Sequence, residues 1–178
     1  MNQKILYNPF YYIAGTKAFL VGIVGLLLIS YLAYYTGTHY NGILNIEFAK
    51  DSDLWVFLLE NITFWFILST LLYIAGIIFS ESKIRPIDIY GTTLIARFPL
   101  LITPVIRIIP VFHSFVYKSV TMYLLICIYL VSLTWMVTLL LNAFKITCNL
   151  KNEKFIISFI VSILLSEILT KITLYLII

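Results

Sequence analysis

The stretch IDIYGTTLIARFPLLITPVIRIIPVFHSFVY, residues 87–117, decides how many times this chain crosses a membrane. It is apolar enough to enter a bilayer, yet Arg97, Pro99, Pro104, Arg107 and Pro110 interrupt it. Proline removes a backbone donor and pushes the preceding residue away from helix. Two readings follow. In the first, Pro86 to about Arg97 forms an amphipathic segment near the interface, with Pro86 at a helix start where a missing N–H is harmless. Residues 98–117 then make a kinked crossing. In the second, the whole region is a re-entrant loop, which needs protein or a watery cavity around it. The kinked crossing is the expectation adopted.

Around this stretch the reading is simpler. A hydrocarbon core about 30 Å thick requires roughly 20 apolar residues in helix. Residues 18–36, 54–79, 120–144 and 155–178 each meet that length. With the kinked segment they predict an all-α, polytopic bundle of five transmembrane helices with short interfacial amphipathic helices. Residues 1–17 then form a cytoplasmic segment, and 18–178 the transmembrane domain. Asn8-Pro9 before Phe10, Tyr11 and Tyr12 suggests a short interfacial helix capped by Asn8. The first span lacks a small-x-small cleavage site and reads as a retained anchor.

Composition agrees. The chain has 178 residues, 62% hydrophobic and only 11% charged, with mean hydropathy +1.03. Soluble domains carry about 25% charged residues, so a water-soluble fold is excluded. The few cations sort by side. Lys4, Lys17, Lys83, Arg85, Lys145, Lys151 and Lys154 fall on one side of five alternating spans, and Lys50, Lys118 and Arg107 on the other. The positive-inside rule puts the first group, and the N-terminus, in the cytoplasm, with the C-terminus outside. The net charge of +4 is explained by lysines facing anionic lipid and does not call for nucleic acid.

Ionisable residues within spans are functional candidates because burial is costly unless they are paired or wet. Glu167 and Lys171 have the favourable i,i+4 order for an ion pair. Glu60 lies about 9 Å, and Lys171 about 10 Å, below the outer ends of their helices at 1.5 Å per residue. Arg107 is near the same level, so a cluster of Glu60, Arg107, Glu167 and Lys171 is predicted, either as a register device or as a relay. Arg97 is expected to snorkel to the inner interface or, with Lys83 and Arg85, to contact lipid headgroups; Asp88 and Glu81 are further partners for it.

Other signals are weaker. His39, near Glu47, Asp51 and Asp53, lacks metal-ligand spacing. Cys127 and Cys148 lie too far apart along one helix to bridge, and Cys148 is juxtamembrane, where palmitoylation occurs. Asn61-Ile62-Thr63 is a glycosylation sequon inside a span, out of reach. Gly22, Gly25, Ser69, Ala75 and Gly76 permit close helix approach, within the bundle or in a homodimer. No phosphate loop, nucleophile elbow or His-Glu-x-x-His is present, so no catalytic residue, metal or cofactor is expected.

The segment Ile87-Asp88-Ile89-Tyr90-Gly91-Thr92-Thr93-Leu94-Ile95-Ala96-Arg97-Phe98-Pro99-Leu100-Leu101, with Leu141-Asn142-Ala143-Phe144-Lys145 before the final span, resembles the Yip1-domain superfamily of small five-span proteins, in particular its bacterial branch. The likeness covers about residues 17–178. It implies a non-enzymatic inner-membrane protein acting in membrane organisation, trafficking-like processes or protein interaction. The acidic Asp-Leu-Tyr-Gly-Pro motif of eukaryotic members is absent, so their GTPase partners are not implied. The alternative from a different class is a small transporter or permease subunit working through the intramembrane charges.

Overall fold

The computed structural model describes residues 8–49, 52–80, 82–113, 119–149 and 154–178. Five helical segments in it are long and apolar enough to cross a membrane: Gly15–Thr36, Leu54–Phe79, Pro86–Arg107, Val120–Thr147 and Phe155–Ile177. The chain is an all-α, multi-pass membrane protein. We label the helices α1 (Gly15–Thr36), α2 (Leu54–Phe79), α3 (Pro86–Ala96), α4 (Ile102–Arg107), α5 (Pro110–His113), α6 (Val120–Thr147) and α7 (Lys154–Ile177). A two-stranded arm, β1 (Thr38–His39) and β2 (Glu47–Phe48), lies between α1 and α2.

The third crossing differs from the expectation. It runs over Pro86–Arg107, not 98–117, so 86–97 is part of the span rather than a separate interfacial helix. Residues 114–118 lie outside the described residues. The prolines bend the path without stopping it: Pro99 starts a 3-10 turn, Phe98–Leu101, which leads directly into α4. Pro104 falls in the first turn of α4, where a missing N–H leaves no intrahelical bond unmade.

Why α3 is interior follows from its glycines and those of α1. The two helices run parallel and share the most extensive packing in the fold. Gly22 lies directly against Leu94, and Gly25 against the Phe98 ring. A Cβ at Gly91 would stand 2.8 Å from the backbone nitrogen of Phe19. Small residues let the backbones approach where lipid supplies no hydrophobic drive. These glycines are thus spent inside the bundle, the first of the two uses expected for them.

Polar contacts complete the seams. Trp65 Nε1 donates to Tyr90 O at 3.1 Å, and Ser69 and Thr93 share a hydrogen bond of 2.6 Å between α2 and α3. On α7, Ser158, Ser162, Ser166 and Thr170 form a buried i, i+4 stripe, and α7 packs chiefly on α2. Phe64, Leu68, Met136 and Leu140 form the dry centre. Outward, Val24, Ile78, Val131 and Leu164 remain exposed, an apolar belt suited to acyl chains.

Local signals set the ends. Gly37 (φ 62°) closes α1 in the left-handed conformation, and Asn149 (φ 48°) follows α6 in the same region. Ser119 caps α6 through its side chain, accepting from the Met122 N–H at 3.3 Å. Pro9–Tyr11 is one 3-10 turn, and Asn8 makes no side-chain capping bond to it. One end of the bundle carries Lys17, Lys83, Arg85 and Lys145; we call it the basic end, and the opposite end, with residues 37–53, the loop end.

Candidate functional site

At the loop end the connection from α1 to α2 turns back into the bundle. Thr38 pairs with Phe48 and His39 with Glu47 across the β-arm, and Tyr40, Gly42 and Ile43 between them are buried. Tyr40 and Ile43 are each 1% exposed. Tyr40 donates its hydroxyl to Leu100 O at 2.8 Å, at the bend of the third crossing. Burial raises its phenol well above the ordinary tyrosine range.

Such a segment carries backbone groups that lipid cannot satisfy. Three charged side chains from the helices meet them. Glu60 on α2 accepts from the Tyr40 N–H at 3.1 Å and contacts His39 Nδ1 at 2.7 Å. Glu167 on α7 accepts from the N–H groups of Ile43 and Leu44, at 2.5 and 3.1 Å. Arg107, at the end of α4, donates to Gly37 O at 3.0 Å and Thr38 Oγ1 at 3.1 Å, with its guanidinium 4.4 Å from the Phe48 ring centre.

The predicted cluster is therefore redistributed. Glu167 and Lys171 form the expected ion pair, at 3.0 Å. Glu60 and Lys171 border the same space but are not bonded to each other. Arg107 reaches the arm, at Gly37, Thr38 and Phe48. The level of these residues was readable from helix spacing, but the returning loop that separates them was not. Its signal is composition: Tyr40, Ile43, Ile46 and Phe48 make 37–49 too apolar for a loop in water.

Beside the arm a cleft of about 840 Å³ opens between α2 and α7. Its walls include His39 and Glu47 from the arm, Val56 and Glu60 from α2, and Lys171 and Leu174 from α7. His39 stacks on Phe57 at 4.2 Å, and its Nε2 is buried without a hydrogen-bond partner. Among the described residues no group of three or more His, Cys, Asp or Glu side chains could hold a metal ion.

Arg97 is elsewhere than expected. It is 1% exposed, enclosed by α2, and does not snorkel. Its Nη1 donates to Asn61 O at 2.8 Å, its Nη2 to Asn61 Oδ1 at 2.6 Å, and its Cζ lies 4.2 Å from the Phe64 ring centre. A buried guanidinium in this setting cannot reach a headgroup. Asp88 instead pairs with Arg85, at 2.8 Å, while Lys83 is exposed; Glu81 lies outside the described residues. Asn61, flagged in sequence only as a sequon, is fully buried and serves as the receptor for Arg97.

Cys148 is also fully buried, with Sγ facing Gly76. Burial pushes its thiol up to about 11, so it is poorly suited to acylation. Lys50 and Asp51, between α1 and α2 in sequence, lie outside the described residues.

Compared with known protein families, characterised proteins and solved structures, the chain matches none.

Proposed function

We propose that the chain is a non-enzymatic integral membrane protein, similar to the Yip1 kind, that organises a bacterial inner membrane or binds partner proteins there. The basic end is cytoplasmic and the loop end outside, since Lys17, Lys83, Arg85 and Lys145 gather at one end. The observation that supports this reading is the use made of the intramembrane charges. Glu60, Arg107 and Glu167 bind the chain's own arm, and Arg97 binds Asn61. Their evident work is to hold a fold. Interaction surfaces then lie outside this framework, at the exposed Tyr11, Tyr12, Lys83 and Arg85.

The test places a photo-crosslinking residue at Tyr11, Lys83 or, as control, Val24, and irradiates intact cells. Discrete protein adducts from the first two positions and lipid adducts from Val24 are expected. Lipid adducts alone from all three overturn the proposal. Orientation is checked separately with Asn45→Cys and Ser82→Cys and an impermeant maleimide: Asn45→Cys reacts in intact cells, whereas Ser82→Cys requires permeabilisation.

The cleft favours a second reading, a small transport subunit, because it leads from the loop end to Glu60. Solute flux through liposomes containing the purified chain, abolished by Glu60→Gln, would select it over the first.

A further inference from the structure

We infer that the loop-end cleft is a binding site for an amphipathic organic cation, an ammonium attached to a short apolar body. The inference does not depend on whether the chain is a scaffold or a transport subunit. A volume of about 840 Å³ falls within the range of small-molecule sites, about 300–1,000 Å³.

Charge decides the class of ligand. Among the described residues in and beside the cleft, the acids are Glu47, Glu60 and Glu167 and the base is Lys171. Glu167 pairs with Lys171 at 3.0 Å, so among the described residues the lysine of this wall is already compensated. Glu47 is exposed and accepts from the neutral Asn45 amide at 3.3 Å. Glu60 faces His39 and a backbone N–H. The surplus is negative.

Polar atoms of the wall add to this. His39 Nδ1 is 2.7 Å from Glu60 Oε1, and its Nε2 is buried without a partner. Asn45 turns its amide nitrogen to Glu47 at 3.3 Å, and its carbonyl oxygen remains an acceptor on the wall. An ammonium, with donors only, matches such a lining.

The remaining wall distinguishes an organic cation from an inorganic one. Hard divalent ions require several oxygens converging on one point, and no such group of three occurs among the described residues. Instead Val56 and Leu174 offer apolar surface, and Tyr175, 87% exposed, borders the opening. Aromatic rings attract ammonium groups through their π faces.

The probe is 2-phenylethylammonium, titrated calorimetrically into the full chain in nanodiscs of zwitterionic lipid. 2-Phenylethanol and phenylacetate serve as the uncharged and anionic comparisons. Saturable binding of the ammonium alone is expected, weakened about tenfold or more in Glu47→Gln, as loss of a nearby unit charge should do. Glu47 is exposed on the arm, so this variant keeps the buried bonds. As a second measurement, Ser52→Cys on the cleft wall is alkylated with and without the probe, and only the ammonium slows the reaction. No saturable binding, equal binding of 2-phenylethanol, or full affinity in Glu47→Gln overturns the inference. Preference for phenylacetate also overturns it and points to Lys171 and an anionic ligand such as a lipid phosphate.

Discussion

Replacing Asn61 with Leu removes the amide oxygen that receives Arg97 Nη2 at 2.6 Å while leaving the backbone acceptor for Nη1 in place. A hydrogen bond to a charged group contributes about 1.5–3 kcal/mol. Here the donor stays behind, buried and unsatisfied, as its Nε already is. Stranding a buried charge costs about 3–5 kcal/mol. Because one of the two Asn61 bonds survives, we expect the lower part of that range, about 3 kcal/mol. Arg97→Met in the same background removes the stranded charge and restores most of the loss, so the double variant lies within about 1.5 kcal/mol of wild type. Arg97→Met alone leaves Asn61 Oδ1 without its donor and costs about 1 kcal/mol, so the coupling is about 2.5 kcal/mol, inside the range measured for residues in contact. Reversible unfolding in mixed micelles, followed by circular dichroism as denaturing detergent is titrated in, measures all three variants. An Asn61→Leu change under about 0.5 kcal/mol, or strict additivity in the double variant, refutes the assignment of Asn61 as the receptor for Arg97.

Gly91→Ala places a methyl 2.8 Å from the Phe19 nitrogen and 3.1 Å from Gly15 O, both backbone atoms, so α1 and α3 must separate; a loss of about 1–3 kcal/mol in the same unfolding assay is expected. Glu167→Gln keeps the shape but loses the charge that receives Ile43 and Leu44, so amide hydrogen exchange within 40–46 should accelerate about tenfold or more, in line with a loss above 1.4 kcal/mol. Cys148, with its thiol raised to about 11 from an ordinary 9.0, should react slowly with maleimide at pH 8, gaining about tenfold per pH unit until near 11. The same shift means that the folded chain holds this proton more tightly than the unfolded one. Its contribution to stability is complete below pH 9 and fades as pH rises from 9 toward 11.

Helix length and apolar runs made four of the five crossings legible to within three residues at either end, because the bilayer imposes a length that composition records directly. The third was displaced for a specific reason. In sequence Arg97 reads as an interfacial marker, since a cation inside a span is costly, but Asn61 one helix away supplies acceptors that no single-helix argument can see. The prolines reinforced the error, because sequence shows that a proline interrupts a helix but not that a 3-10 turn will carry the chain past it. At the site, the i,i+4 pair Glu167–Lys171 was readable because its geometry is local. The partners of Glu60 and Arg107 were not, because they belong to a loop whose return depends on tertiary packing. The apolar content of residues 37–49 was the available hint.

That loop explains why the intramembrane charges do not gather into one cluster. Had Glu60, Arg107, Glu167 and Lys171 paired among themselves, the N–H groups of the buried Tyr40 and Ile43 would lack acceptors, at a cost of several kcal/mol apiece by water-to-hydrocarbon transfer. Had the loop stayed outside, the charges would have been the uncompensated groups. Each defect satisfies the other: carboxylates take the orphan donors, and a guanidinium gives Gly37 O a second donor beside the Ala49 N–H. Charge-assisted bonds of this kind are roughly twice as strong as neutral ones, so three side chains suffice to seat a segment that would otherwise be excluded from the bundle. The seated arm in turn forms one wall of the cleft. The same few charges that make irregular backbone tolerable at this depth therefore also create a place where a polar ligand is offered both a carboxylate and shelter from lipid.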